Sequence, residues 1–167
     1  VIDGIVHICA MRYPDIDCAS SADDFAQVET VLDTGAGRVT MDGRWLIVGT
    51  EDIVDGVYDT VLTGYRYEGG QWVEKGSEQF AAHAFQLHVD ADPLGNLHMS
   101  SSLIADTQNP MPAVRYFQFR PDGTTSANWV SCAEAQPNDV VGLSDGTPVV
   151  SFGTDPSTGS VYVASPG

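Results

Sequence analysis

One local pattern recurs along this chain and limits what it can fold into: a tight turn running directly into a strand. It occurs in Asp3-Gly4-Ile5-Val6-His7-Ile8, Asp42-Gly43-Arg44-Trp45-Leu46-Ile47, Leu94-Gly95-Asn96-Leu97-His98-Met99 and Asp145-Gly146-Thr147-Pro148-Val149-Val150. The turn glycines are 39, 52 and 51 residues apart. The second and third copies are each followed by a further hairpin, Tyr65-Arg66-Tyr67-Glu68-Gly69-Gly70-Gln71-Trp72-Val73 and Phe117-Gln118-Phe119-Arg120-Pro121-Asp122-Gly123 leading to Asn128-Trp129-Val130. A repeat of this length is one supersecondary unit that cannot bury its own apolar face, so neighbours must stack.

The unit is built of strands. Val114-Arg115-Tyr116-Phe117-Gln118-Phe119, Trp45-Leu46-Ile47-Val48 and similar runs lie between Asp-Gly, Gly-Gly and Gly-Asn turns, where Gly and Asn accept positive φ. The best helix candidate, 22–30, is short and ends in β-branched residues. About 50 residues with four short strands and two tight turns fit one blade of a β-propeller. The 167 residues therefore read as a single all-β, antiparallel propeller segment: a partial blade at 1–37, blades at 38–83 and 84–137, and a partial blade at 138–167. Trp72, Trp129 and the aromatic pairs Tyr65/Tyr67 and Phe117/Phe119 are expected to fill the layers between blades. Propellers close with about four to eight blades. A partial ring of three to four is expected to need completion by another chain, a second copy or a remainder of its precursor.

Val89-Asp90-Ala91-Asp92-Pro93-Leu94-Gly95-Asn96-Leu97-His98-Met99-Ser100, followed by Val114-Arg115-Tyr116-Phe117 and a Gly-to-Trp hairpin, resembles the repeats of sialidase-like (BNR-type) β-propellers. The resemblance covers 84–133 well and 38–80 fairly. It implies a propeller fold, with glycan binding or glycoside hydrolysis among the family's activities. The family's Asp-box, Ser-x-Asp-x-Gly-x-x-Trp, is not met: Asp122-Gly123 lacks the intervening residue and Trp129 follows too late. No segment identifies the arginine triad, Tyr–Glu nucleophile pair and Asp acid of a sialidase.

Charge narrows the partners. Asp and Glu number 23 against 7 Lys and Arg, a formal net charge of −16, so nucleic acid and anionic membrane are repelled. No apolar run approaches the roughly 18 residues of a spanning helix, and membrane insertion is not expected. Of the three cysteines, Cys9 and Cys18 flank the loop Arg12-Tyr13-Pro14-Asp15 and form either a local disulfide or two buried thiols. A disulfide would point to an extracellular or periplasmic setting, and the start at Val1 reads as processing, trimming or an incomplete chain. Cys132 has no evident internal partner and is a possible covalent link to another chain.

His7 and His98 fall at the same repeat position, where they either line a ligand face or bond neighbouring strands. Leu46 and Val149 stand nearby in the other copies, which favours the structural role. His83 and His88 read as an ordinary strand pair without a carboxylate at metal spacing. Asp90-x-Asp92 opens like a calcium loop but has Leu94 and Ser101 where ligands belong. The candidate ligand-binding residues are His7, His98, Arg66, Arg115, Asp106 and Asn109, the last two in the long 100–112 loop; a second long loop spans 50–60. No catalytic set, metal or cofactor is expected. The leading expectation is a non-enzymatic recognition or scaffold module binding glycan or protein through its loop face. Part of a sialidase-like glycoside hydrolase, or a subunit of a multi-chain enzyme assembly, are the alternatives.

Overall fold

The computed structural model describes residues 1–12, 15–32, 36–104, 113–131, 135–153 and 161–164. Among them there is no α-helix. Fourteen strands form four antiparallel sheets, each a simple meander in chain order. Sheet 1 holds β1 (His7–Arg12), β2 (Asp15–Ser20) and β3 (Val28–Leu32). Sheet 2 holds β4 (Ala36–Asp42), β5 (Trp45–Val54), β6 (Val57–Glu68) and β7 (Gln71–Phe80). Sheet 3 holds β8 (His83–Ala91), β9 (Leu97–Ile104), β10 (Ala113–Phe119) and β11 (Thr125–Trp129), and sheet 4 holds β12 (Gln136–Gly142), β13 (Pro148–Gly153) and β14 (Val161–Ala164).

Turn chemistry sets the registers. Asp55 and Gly56 both take positive φ (54° and 80°), and β5 and β6 stay paired down to Val54 and Val57. Such a two-residue turn matches the strand twist and favours Asp-Gly. The 22–30 segment is not a helix. After a single 3-10 turn at Ser21–Asp23, Asp24 and Phe25 both enter the left-handed region (56° and 60°), and the chain leaves as β3.

The sheets pack face to face in chain order through three apolar layers. Strand alternation explains how one run serves two layers. In β5, Leu46 and Val48 join Tyr65 and Trp72 against Ile16 and Cys18 of sheet 1. Trp45 and Ile47 point the other way, with Leu62 and Phe80, against Leu97, Met99, Phe117 and Phe119 of sheet 3. The third layer sets Val114 and Tyr116 against Val140, Val150 and Phe152 of sheet 4. Each large side chain buried in this way contributes roughly 1.5–3 kcal/mol. The fit is tight: a Cβ on Gly64 would lie 2.7 Å from the Phe119 ring.

The first strands of successive sheets lie together, β4 beside β8 and β8 beside β12. A repeated link ties them. Asp42, ending β4, accepts the Ala91 N–H at 2.6 Å, and one period later Asp90 of β8 accepts the Gly142 N–H at 2.7 Å. Part of the aspartate excess is thus structural.

Cys9 and Cys18 face each other across β1 and β2 and form a disulfide, which decides between the two expected states. Trp129 departs from expectation. It ends the edge strand β11, stays 58% exposed, and lies against the Arg115 guanidinium 5.5 Å away instead of entering a layer. Trp72 is buried in the first layer.

Candidate functional site

Because every sheet is a meander, the stack has two distinct ends. At the turn end lie the short connections around Gly43, Gly69–Gly70, Gly95, Gly123 and Gly146. At the other end β5 passes to β6 and β9 to β10, the latter through 105–112. We call this the loop end.

At the loop end sheets 2 and 3 bring together five side chains from four strands. The His83 Nδ1, at the start of β8, lies 2.7 Å from a Glu51 carboxylate oxygen near the end of β5. The Arg38 Nη2 lies 3.3 and 3.4 Å from the two ring nitrogens of His83 and 3.9 Å from Glu51. The Thr60 hydroxyl lies 3.1 Å from the same Glu51 oxygen, and the Tyr58 ring packs 4.8 Å from the imidazole. Arg38, Glu51 and His83 keep 27%, 23% and 28% of their side-chain surface in water, so they are ordered by one another yet reachable. Beside them a groove of about 430 Å³ runs between β4 and β8, lined by Arg38, Thr40, Phe85, Gln86 and Leu87. Gln86 sits in it at φ 55°, within the register shift between Phe85 and His88. A left-handed glutamine costs energy and persists only where its surroundings hold it. Arg38 is shared by the group and the groove, lining the groove with the Gln86 amide and the Phe85 ring and meeting Glu51 and His83 beside it.

A second histidine–carboxylate pair lies at the turn end, between sheets 3 and 4. The His98 Nε2 meets an Asp92 oxygen at 2.9 Å and its Nδ1 meets the Tyr116 hydroxyl at 2.7 Å. Asp92 also accepts the Asn96 backbone and side-chain N–H groups at 2.8 and 2.7 Å. Burial alone would raise the Asp92 carboxyl, but the hydrogen bonds from His98 and Asn96 outweigh it and hold the group below its ordinary value. Burial pushes the Tyr116 phenol well up. Asp92 and His98 side chains are wholly out of water, so this network is a brace, closed to ligands. Gly142 of β12 presses on it: a Cβ there would lie 2.4 Å from the imidazole. Asp90 and Asp92, the calcium-loop pair of the sequence, are both spent on these bonds.

The structure separates the sequence candidates. His98 lies inside the brace. Arg66 lies on the other side of the same β8–β9 turn, with its guanidinium 5.9 Å from the Trp45 ring and 3.1 Å from Glu68. His7 is also at the turn end, 4.3 Å from the Tyr67 ring between sheets 1 and 2. Arg115 is at the loop end, its guanidinium 5.5 Å from Phe80, 5.2 Å from Phe117 and 5.5 Å from Trp129. Asp106 and Asn109 lie outside the described residues, as does Cys132. The loop-end group of Arg38, Glu51, Tyr58 and His83 was not legible as a motif, because Glu51 and His83 are 32 residues apart. Numbering the strands within the repeat would have placed both at the same end.

No family model matches the chain, and no curated protein matches it.

Proposed function

We propose that this chain is a non-enzymatic recognition module of the sialidase-like propeller type, which binds a neutral glycan through its loop end. What carries the reading is the Arg38–Glu51–His83 group, about a quarter exposed, beside the groove between β4 and β8. Successive meanders stacked through apolar layers, with their first strands together, are the arrangement that propeller blades require. The disulfide favours an extracellular or periplasmic setting, and no helix among the described residues is long and apolar enough to cross a membrane.

The same reading includes a partner that completes the ring, either another chain or a second copy. Ile8 and Val28 on the outer face of sheet 1, and Val141 and Val163 on that of sheet 4, are exposed, as expected of faces that receive further blades. Light scattering at low micromolar concentration then gives a mass above the 17.8 kDa of one chain, or a mass that rises when the partner is added. A well-folded monomer that binds glycan alone removes the partner from the reading.

A glycan array probed with the wild-type protein and with Arg38→Ala and His83→Ala tests the ligand. Shared hits lost in both variants are expected; hits unchanged in both contradict the loop-end assignment. Turnover of a fluorogenic glycoside by the wild type, abolished in Glu51→Gln, would overturn the non-enzymatic reading in favour of hydrolysis.

A further inference from the structure

The cleft between sheets 1 and 2 at the turn end has polar atoms that the fold leaves unsatisfied. It measures about 190 Å³ and is lined by His7, Asp23, Glu29, Tyr67 and Trp72, among others. His7 is only 7% exposed, and its Nε2 has no hydrogen-bond partner among the described residues. On the same cleft one Asp23 oxygen accepts the Gln27 N–H at 3.0 Å, while the other is buried and has no partner among the described residues. Two buried, unpaired polar atoms on one small cleft are costly unless something fills it.

Their chemistry selects the occupant. Burial lowers the His7 imidazole below its ordinary value, so the ring is neutral and, as the Nδ1–H tautomer, offers the Nε2 lone pair, and the Asp23 oxygen can only accept. An anion would meet Asp23, Glu29 and a chain of net charge −16. An apolar group would leave both atoms unpaired. A metal ion is disfavoured, since no group of three or more His, Cys, Asp or Glu side chains among the described residues could hold one. A donor-rich organic cation satisfies the acceptors and can pack on the aromatic rings of Tyr67 and Trp72, which lie 5.2 Å apart. At about 190 Å³ the cleft has room for an ammonium group and a short alkyl stem.

We infer that the His7–Asp23–Tyr67 cleft binds a small primary ammonium compound. The inference is independent of the loop-end reading, which concerns the opposite end of the stack. The probe is 1,4-diaminobutane, followed by the His7 imidazole NMR signals and by calorimetry at physiological salt. Saturable binding with a shift of the His7 signals is expected, weakened about tenfold or more in Asp23→Asn and in Glu29→Gln, because charge-assisted hydrogen bonds are lost or the local charge falls. Tetramethylammonium, a cation without N–H donors, should bind at least about tenfold more weakly. Glu29 is exposed, so Glu29→Gln keeps the comparison informative if Asp23→Asn disturbs the fold. No saturable binding, or equal binding by both variants and by tetramethylammonium, would overturn the inference. The latter result would reduce it to general attraction to an acidic chain, with water in the cleft.

Discussion

The molecule holds two histidine–carboxylate pairs of nearly the same geometry at opposite ends of its stack. His98 and Asp92 meet at 2.9 Å with neither side chain in contact with water; His83 and Glu51 meet at 2.7 Å with about a quarter of each exposed. Burial separates their roles. The buried pair has every neighbour fixed by the fold, with Tyr116 on one nitrogen, Asn96 on the carboxylate and Gly142 against the ring, so it joins sheet 3 to sheet 4. The partly exposed pair has Arg38 at its side and a groove beside it, and it is the pair on which the proposed glycan site is built.

The largest expected effect comes from breaking the buried pair. His98→Ala leaves Asp92 and Tyr116 without that partner inside the third layer, and urea unfolding should show a loss of about 3–5 kcal/mol. His83→Ala should cost less, about 1 kcal/mol, because the pair keeps about a quarter of its surface in water. Equal losses would erase the contrast.

Gly142→Ala sharpens the comparison without removing a polar group. A methyl pushed toward the imidazole and the Asp92 Cβ should cost about 1–3 kcal/mol by overpacking. The same change at Gly37, where an added Cβ would lie 3.7 Å from the Gly49 carbonyl oxygen, should be nearly silent. Thermal melts of the two variants check this.

The buried pair should also carry a pH signature. The folded Asp92 carboxyl lies below its ordinary value of 3.8. Its contribution is therefore full above that value and is lost as pH falls through the lower, folded one. Unfolding titrations of the wild type against Asp92→Asn should show a stability difference that is constant near neutrality and narrows below pH 3.8. A difference that instead widens on acidification would contradict the assigned direction.

A small effect is also expected at Trp129. At 58% exposure its truncation to Ala should change stability by about 1 kcal/mol or less, mostly through its contact with Arg115. A loss of about 3 kcal/mol or more would mean that the ring is buried by a partner in solution.

Much of the fold was legible because the repeat is written in local chemistry. Asp-Gly and Gly-Gly turns fix the hairpins, and the alternation in Trp45-Leu46-Ile47-Val48 encodes a sheet buried on both faces. The Cys9–Cys18 bond was open between two states until β1 and β2 were seen to place the two residues directly opposite. The aspartate links from Asp42 to Ala91 and from Asp90 to Gly142 were hidden, since an acceptor for a backbone N–H some 50 residues away leaves no motif. Trp129 misled because the repeat gives its position in a strand, whereas exposure depends on whether a neighbouring sheet covers that edge. The loop-end group escaped for the same reason that it is of interest: its members come from β4, β5, β6 and β8, and only the stacking unites them.

The most direct test of the proposed loop-end site is an amide NMR titration of the whole protein with the strongest hit from the glycan array. Saturable shifts gathered at the loop end are expected, around Arg38, Glu51, Tyr58, His83 and Gln86, with residues 92–98 unmoved. Shifts centred on 92–98, or spread evenly over the four sheets, would contradict it.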